Sequence, residues 1–340
     1  MGVMSRETAG ALIEAAFATA DEHGAVSFAF QGGEPTVAGL DFFRDFVAMV
    51  SAFRPLDRQV SYALQTNGMA LNEEWTHFLK ENQFLVGLSV DGYRELHDHY
   101  RVDTKGEGTY GRVAKALALL QKFEVETNLL CVVTGQCAKH PQKTYASMKK
   151  LGVRYLQFIP CLDPLEEQRG RAVYSLTPKL YGDFLCGLFD QWYRDWAEGH
   201  YTSVRLFDDY VHLAMGEPAS TCAASGGCGS YFVVEADGGV YPCDFYVLDR
   251  WRMGDVHTDS LKQLANDETA SEFLRQGRLR PSRCASCRWV PLCNGGCRRD
   301  WTGGADDTEN YYCESFRRFF EYAADRIGEI AWQERRSRMR

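Results

Sequence analysis

The amino-acid sequence predicts an α/β fold in which an open or partial (β/α) barrel precedes a smaller cysteine-rich domain. Over residues 1–215, apolar strand patterns alternate with helical patterns, which is typical of βαβ units and a parallel sheet. Near Gly216 this alternation ends, and glycines, cysteines and short hairpin signals replace it. Eight of the twelve cysteines lie between residues 222 and 313, enough thiolate for two four-coordinate metal centres. We therefore predict two domains, residues 1–215 and residues 216–340.

The predicted elements follow one another along the chain. Helices are expected at about 5–23, 39–54, 71–82, 109–123 and 141–151, and strands at 26–30, 60–64, 84–89, 127–133 and 154–159. A sixth strand is expected near 204–207. Residues 231–235 and 240–243 flank Ala-Asp-Gly-Gly, which predicts a β-hairpin. Further helices are expected near 259–275 and from about 315 to a solvated basic end.

Composition excludes several classes of protein. The chain has 340 residues, 45% of them hydrophobic, and a net charge of −8, which argues against a general nucleic-acid binder. No apolar run approaches the ~20 residues of a membrane span. The first residues lack the basic region and long apolar core of a secretory signal. We therefore expect no nucleic-acid partner, no membrane and a cytoplasmic location.

The eight clustered cysteines form the most specific pattern in the chain. They read Cys-x5-Cys-x14-Cys at 222, 228 and 243, then Cys-x2-Cys-x5-Cys-x3-Cys at 284, 287, 293 and 297, and Cys313. Such thiolates hold iron–sulfur clusters or zinc, and without export a disulfide framework is disfavoured. Iron–sulfur binding is favoured, with zinc and disulfides as alternatives. The other four cysteines, at 131, 137, 161 and 186, are expected to be small buried hydrophobes.

Polar and glycine-rich motifs follow the predicted strands of the first part. Residues 31–35 (QGGEP) follow the first strand, 65–68 (QTNG) the second, 89–92 (SVDG) complete the third, and 160–162 (PCL) follow the fifth. Each alone is an ordinary turn signal. In a parallel barrel, however, this edge carries the active site, and glycines there would let a ligand approach the backbone closely.

Charged residues near the third motif have two interpretations each. Arg101 could offer a bidentate fork to a carboxylate, or it could form a surface ion pair. His97 and His99 are interpreted as packing or surface residues rather than metal ligands, because no matched second site accompanies them.

Together the segments FAFQGGEPTVAGLDFF, LQTNG, GLSVDGYRELHDHYR, YPCDFYV and CRWVPLCNGGCRRD resemble the anaerobic sulfatase-maturating enzymes. These belong to the radical S-adenosylmethionine (SAM) superfamily and carry a carboxyl-terminal SPASM domain. The resemblance runs from about residue 26 to 314. It implies a partial (β/α)6 barrel of the radical SAM type, with the first strand missing here, followed by the SPASM domain.

The resemblance also implies which residues bind cofactors. SAM would contact the backbone around Gly33 and the side chains of Ser89, Arg101 and Leu162. Two auxiliary [4Fe–4S] clusters would be bound in the SPASM domain. By position, the first would be held by Cys222, Cys228, Cys243 and Cys297, and the second by Cys284, Cys287, Cys293 and Cys313.

The implied reaction oxidises an active-site cysteine or serine of a sulfatase to Cα-formylglycine. A reduced cluster cleaves SAM to methionine and a 5′-deoxyadenosyl radical, which takes a hydrogen atom from the substrate Cβ. Asp244 matches the family's catalytic base, and an auxiliary cluster accepts the remaining electron. The expected partners are a sulfatase polypeptide with a Cys/Ser-x-Pro/Ala-x-Arg segment and an electron donor such as flavodoxin or ferredoxin.

The sequence departs from the family at one motif. The Cys-x3-Cys-x2-Cys run expected before the first helix is absent, and Asp300 stands where Cys293-x3-Cys297 would need a third cysteine. A third, radical-generating [4Fe–4S] cluster is therefore expected only in the full-length protein, and the chain as given is expected to be inactive. A late start codon or a cloned fragment would explain this, as would a true relative without that cluster. An exposed parallel sheet edge is costly and favours truncation.

Two other functions stay open on the sequence alone. One is another radical SAM/SPASM peptide maturase, which would modify a short leader-bearing peptide. The other is a non-catalytic iron–sulfur protein or electron carrier, against which the barrel-mouth motifs speak. No leader-binding domain is visible, which favours the sulfatase maturase. Whether the substrate is cysteine or serine stays undecided.

Overall fold

A computed structural model describes residues 2–21, 24–53, 58–165, 167–229, 231–303 and 308–338. The strands are β1 Val26–Phe30, β2 Val60–Thr66, β3 Phe84–Ser89, β4 Thr127–Val133, β5 Tyr155–Pro160, β6 Ser203–Val204, β7 Val233–Val234, β8 Gly239–Tyr241, β9 Gly254–Asp255, β10 Trp301–Thr302 and β11 Glu309–Asn310. The helices are α1 Arg6–Thr19, α2 Leu40–Phe53, α3 Glu73–Glu81, α4 Arg94–Tyr100, α5 Tyr110–Lys122, α6 Pro141–Lys149, α7 Pro178–Ala197, α8 Arg205–Ala214, α9 Cys222–Ser225, α10 Leu261–Leu264, α11 Glu268–Arg278, α12 Val290–Cys293 and α13 Cys313–Arg338.

The predicted α/β class is confirmed by a six-stranded sheet whose strand order is β1-β2-β3-β4-β5-β6. The β1–β2, β2–β3, β4–β5 and β5–β6 pairs are parallel. Strand predictions at 26–30, 84–89 and 127–133 coincide with the observed strands, each of which is rich in apolar residues. The sixth strand is shorter than predicted, since residues from Arg205 onward form α8.

Several helices differ from the prediction. The helix expected at 259–275 is two helices, because the Asp267 side chain accepts a hydrogen bond from the Ala270 N–H and caps the start of α11. Helices α4, α7 and α8 were not predicted from the sequence. Residues 22–23 and 54, predicted to be helical, and the basic end at 339–340 lie outside the described residues.

The chain divides into two compact units, which are Met1–Leu88, Arg112–Thr127 and Cys228–Arg278 on one side, and Ser89–Gly111, Asn128–Gly227 and Leu279–Arg340 on the other. The predicted domain boundary at 215/216 concerns family domains and stays a prediction. Among the described residues, no helix combines the length and apolar character needed to cross a membrane.

Hydrophobic clusters among the described residues of the first unit position α1. In one of them, α1 and α2 cover β1 through residues such as Ile13, Phe28 and Phe46. A second joins the β7–β9 sheet and α10 to the other side of α1, around Val240 and Leu261. Helix α1 therefore anchors the β7–β8 hairpin, which is followed by Cys243 and Asp244.

The second unit is held together by its longest helices. Phe189 of α7, Phe207 of α8 and Phe319 of α13 pack ring against ring, with centroids 5.2–5.6 Å apart. Gly182 allows α7 to approach Ser315 closely, because a Cβ there would lie 3.2 Å from the Ser315 Cα. This packing fixes the start of α13, which carries Cys313.

Candidate functional site

Asp244 lies in a small polar cluster of the first unit. Its Oδ1 accepts a 2.6 Å hydrogen bond from the Tyr231 hydroxyl, and its Oδ2 accepts one of 3.3 Å from the Gln31 side-chain amide. Burial and the neighbouring carboxylate raise the pKa of Tyr231, so its hydroxyl stays a donor. Gln31 follows β1 directly, and the Asp244 carboxylate therefore lies at the carboxyl end of a barrel strand.

The local fold explains how Asp244 is held. Cys243 precedes a 3-10 helix, Asp244–Tyr246, and the Tyr246 N–H bonds to the Cys243 carbonyl at 3.0 Å. The Cys243 Sγ lies 3.5 Å from the Asp244 Oδ1 and 3.7 Å from the Tyr231 hydroxyl. The carboxylate is exposed, and its backbone is fixed beside a half-buried thiol.

Cys228 and Cys243 pack on the same hydrophobic cluster, formed by Tyr246, Trp251 and Phe273. Gly277 is required opposite Cys228, since a Cβ there would lie 2.6 Å from the Cys228 Sγ. Burial raises the pKa of the Cys243 thiol to about 11. A bound cluster would reverse this preference, because a coordinated thiol is deprotonated.

The glycine turn after β1 is tied to the turn after β2 by Glu34. The Glu34 carboxylate accepts hydrogen bonds from the N–H and hydroxyl of Thr36, from the Thr66 hydroxyl and from the Asn67 N–H, at 2.6–3.1 Å. Gly32 has a φ of +114°, which favours glycine. A Cβ added at Gly33 would meet no atom within 4 Å, so its exposed backbone has room for a polar ligand.

In the second unit, Arg101 forms an ion pair. Its Nε donates to the Asp91 Oδ2 at 2.6 Å and a terminal nitrogen donates to Oδ1 at 3.3 Å. Asp91 also accepts a 2.9 Å bond from the Val132 N–H. Of the two interpretations of Arg101, the structure shows the ion pair, and its carboxylate partner is nearly buried rather than at the surface. A contact from Arg101 to SAM, like that from Ser89 at the end of β3, stays a prediction.

His97 supports this ion pair and is not a metal ligand. It is fully buried; its Nδ1 accepts from the Asp91 N–H and its Nε2 lies 3.0 Å from the Thr109 hydroxyl. Since Thr109 donates to the Arg101 carbonyl, this network places the proton on Nε2. Burial lowers the pKa of His97. His99 is exposed, so the packing and surface interpretations of these two residues hold.

Leu162, which follows β5, begins a loop held by buried charges. Asp163 accepts from Gly170 and Ser175, and its carbonyl accepts a 2.6 Å bond from Arg299. Arg169 and Asp300, whose side chains are 10% and 9% exposed, form a 2.8 Å ion pair. Asp300, at the position where a third cysteine was sought, therefore ties the segment after Cys297 to the segment after Leu162.

Cys284, Cys287, Cys293 and Cys313 line a cavity of about 340 Å³, here called the four-cysteine cavity. Burial raises the pKa of Cys293 to about 12. The buried indole N–H of Trp289, which also lines the cavity, has no hydrogen-bond partner among the described residues. Four thiols and an unpartnered donor around such a volume fit a multi-atom iron–sulfur cluster, whose sulfurs accept hydrogen bonds.

The other predicted ligand set is distributed over both units. Cys228 and Cys243 belong to the first, and Cys222 and Cys297 to the second. Within the second unit, the Asn294 amide donates a 2.8 Å bond to the Ala224 carbonyl. This bond joins α9, which starts at Cys222, to the loop that ends at Cys297. That these four cysteines hold one cluster stays a prediction.

None of the twelve cysteines, all of which are among the described residues, forms a disulfide bond. Within the described ranges, no group of three or more His, Cys, Asp or Glu side chains is gathered around a single-ion position. Cys131 and Cys137 are fully buried, as predicted, whereas Cys161 and Cys186 are only half-buried.

Comparison with known proteins identifies the family. The radical SAM superfamily model matches residues 5–148, and the SPASM iron–sulfur cluster-binding domain matches residues 226–288. The cysteine-type anaerobic sulfatase-maturating enzyme of Clostridium perfringens (strain 13 / Type A) is 43% identical over 97% of this chain and 89% of its own length. The Clostridium novyi (strain NT) enzyme of the same type is 40% identical over 97% and 88%. The chain belongs to the anaerobic sulfatase-maturating enzymes.

A further relative and a solved structure indicate the same family. The serine-type enzyme of Bacteroides thetaiotaomicron is 30% identical over 88% of this chain and 76% of its own length. The structure of native anSMEcpe with bound AdoMet and the Cp18Cys peptide superposes with a TM-score of 0.94 at 43% identity, covering 98% of this chain and 92% of that one. Streptococcus suis SuiB, at a TM-score of 0.56 and 16% identity, shares the fold alone.

Family membership confirms the function and cofactors that the sequence predicted. The chain is a radical SAM oxidoreductase of the sulfatase-maturating type, with a SPASM domain, and its family uses SAM and iron–sulfur clusters. The individual ligand and catalytic residues are not settled by this and stay predictions.

Sequence reasoning missed three residues of the site. Gln31 was noted only as part of a motif, and Tyr231 only as a hairpin residue, yet both contact Asp244. Trp289 was noted only as part of the cysteine motif. Its place between Cys287 and Cys293 in the cysteine motif was the one signal that could have singled it out.

Proposed function

We propose that this chain oxidises a cysteine of a sulfatase to Cα-formylglycine, with Asp244 as the base. The cysteine substrate is favoured because the cysteine-type relatives are 40–43% identical, against 30% for the serine-type enzyme. The observation that carries the proposal is the Asp244 carboxylate, held by Tyr231 and Gln31 beside the predicted cluster ligand Cys243.

SAM, cleaved at a reduced cluster, would supply the radical that removes one hydrogen atom from the substrate Cβ. The residues proposed to hold SAM are Gly33, through its exposed backbone, Ser89, Arg101 and Leu162. In this role Glu34 keeps the Gly33 turn in place, and Asp91 keeps Arg101 oriented.

Asp244 would take the proton from the substrate thiol. Its carboxylate has acceptor lone pairs beyond those used by Tyr231 and Gln31, and its exposed position leaves them accessible. Loss of one hydrogen atom, one proton and one further electron oxidises the thiol-bearing carbon to a thioaldehyde, which water converts to the aldehyde and hydrogen sulfide. A neighbouring cluster on Cys243 would be placed to accept that electron.

The two proposed cluster sites have separate cysteine sets. Cys222, Cys228, Cys243 and Cys297 would hold the cluster nearest Asp244, and the four-cysteine cavity would hold the other. A small electron-transfer protein of the flavodoxin or ferredoxin type is the proposed donor, since the reaction starts with a one-electron reduction.

Formylglycine formation on two matched peptides tests the proposal. Peptides containing Cys-x-Pro-x-Arg and Ser-x-Pro-x-Arg, otherwise identical, are incubated with a form of the protein that includes the Cys-x3-Cys-x2-Cys segment, SAM and dithionite. Aldehyde is measured by mass spectrometry after hydrazide labelling. We expect efficient conversion of the cysteine peptide. Preferential conversion of the serine peptide would refute the substrate assignment, and conversion of neither peptide would refute the proposed function.

A further inference from the structure

The Trp289 indole occupies a fixed position in the wall of the four-cysteine cavity. Its carbonyl accepts hydrogen bonds from the N–H groups of Leu292 and Cys293, at 3.0 and 2.9 Å, so its backbone begins the turn that carries Cys293. The ring lies 6.0 Å from the Phe320 ring, and the Arg288 guanidinium carbon lies 4.4 Å from its centroid. Contacts on the ring therefore fix its orientation.

The indole N–H is the part of this side chain that the protein leaves without a partner. It is buried, and no acceptor among the described residues meets it. A buried donor without an acceptor costs about 1–3 kcal/mol, and such groups are rare in native proteins. Two other indoles find acceptors: Trp301 donates to the Gly295 carbonyl at 3.0 Å, and Trp192 to the Thr202 carbonyl at 2.8 Å.

We propose that the Trp289 N–H donates a hydrogen bond to a sulfur of the iron–sulfur cluster in the four-cysteine cavity and raises its reduction potential. This inference rests on the proposed assignment of that cavity to a cluster. Reduction adds negative charge to the cluster sulfurs, so a donor stabilises the reduced form more than the oxidised form. Trp289 is thus a tuning residue for electron transfer and does not contact the substrate.

Trp289→Phe tests the proposal, because phenylalanine keeps an aromatic ring against Phe320 and Arg288 and removes the N–H. Trp301→Phe is the matched control, since that N–H is satisfied by a backbone carbonyl. The reconstituted proteins are titrated with reductant, and both auxiliary clusters are followed by EPR. In Trp289→Phe one midpoint potential should become more negative by about tenfold in the reduction equilibrium, ~59 mV for one electron, and the other should not move.

A spectroscopic measurement on the unmutated protein keeps the test independent of folding. Pulsed ENDOR on the reduced cluster, with 15N-indole tryptophan and exchange into D2O, should detect one exchangeable indole proton and its nitrogen. Trp301→Phe should retain this coupling. An absent coupling, or an unchanged potential in a Trp289→Phe protein with full iron content, would overturn the inference while leaving the cluster assignment intact. An unmutated protein with no cluster in the four-cysteine cavity would overturn both.

Discussion

Replacing Asp244 with asparagine should separate substrate oxidation from the other activities of the enzyme. Asparagine keeps the size of the side chain and an oxygen that can accept from Tyr231, whose bond to Asp244 is 2.6 Å. The 3-10 turn and the Cys243 thiol should therefore stay in place. What is lost is basicity, and loss of a general base costs ~10²–10⁴-fold in rate, or about 3–5 kcal/mol at 1.36 kcal/mol per factor of ten.

A smaller decrease in rate is expected when Tyr231, which donates a hydrogen bond to Asp244, is replaced. Tyr231→Phe removes one charge-assisted hydrogen bond but leaves the carboxylate and its Gln31 contact. Tyr231 is 41% exposed and Asp244 is exposed, so that bond is worth about 1 kcal/mol rather than the 1.5–3 of a buried one. A rate decrease of about fivefold is expected. The two variants should thus differ by more than tenfold.

The assay measures three quantities on a form of the protein that includes the Cys-x3-Cys-x2-Cys segment: formylglycine, 5′-deoxyadenosine and iron. Asp249→Asn, an exposed carboxylate five residues downstream, is the control and should keep full activity. In Asp244→Asn, formylglycine formation should fall while 5′-deoxyadenosine and iron persist. Serine peptides should suffer more than cysteine peptides, because a hydroxyl is far less acidic than a thiol of pKa about 8.5. Full turnover would place the base elsewhere, and loss of iron would make Asp244 structural.

Two stability predictions follow from the second unit. The pKa of buried His97 lies below its unfolded value of about 6.5. The unfolded chain therefore binds more protons, and the free energy of unfolding should fall as the pH drops below 6.5. Urea midpoints at pH 7.5 and 5.5 should show this loss, and a loss that persists in His97→Gln would belong to another group. Asp300→Asn leaves the Arg169 guanidinium buried without its carboxylate and should cost about 3–5 kcal/mol in urea unfolding. Glu74→Gln removes one partner of an exposed ion pair, with side chains 46% and 62% exposed, and should cost far less. Equal costs in the two variants would show that burial of the Arg169–Asp300 pair does not raise its contribution to stability.

Local sequence patterns were sufficient to predict an element where one physical effect, such as a high apolar content, dominates. The strands Val26–Phe30 and Thr127–Val133 were found from their apolar residues, although only Val26 and Phe28 of the first strand are buried. Helix Arg94–Tyr100 was missed because its seven residues are mostly polar and too few for a clear 3.6-residue period. The Cys-x2-Cys-x5-Cys-x3-Cys spacing indicated a metal site, but spacing cannot say which thiols share a centre.

The contacts around individual site residues depend on chain segments far apart in sequence. For Arg101 the sequence left open a fork for a ligand carboxylate or an ion pair. The ion pair is observed, with Asp91 ten residues earlier, because α4 turns the chain back on itself. Gln31 and Asp244 are 213 residues apart. The packing of the β7–β9 sheet against α1 helps to bring the two segments into one unit, and no local sequence pattern contains that information.

The proposed function depends most directly on two separate four-thiolate cluster sites, and iron analysis tests whether both exist. After anaerobic reconstitution, the chain as given should contain about eight irons and eight sulfides, with the Mössbauer signature of [4Fe–4S] clusters. Cys284→Ala combined with Cys293→Ala should remove about four of each and leave the other cluster. Stoichiometric zinc without iron–sulfur absorbance, or loss of all iron in that double variant, would contradict the assignment.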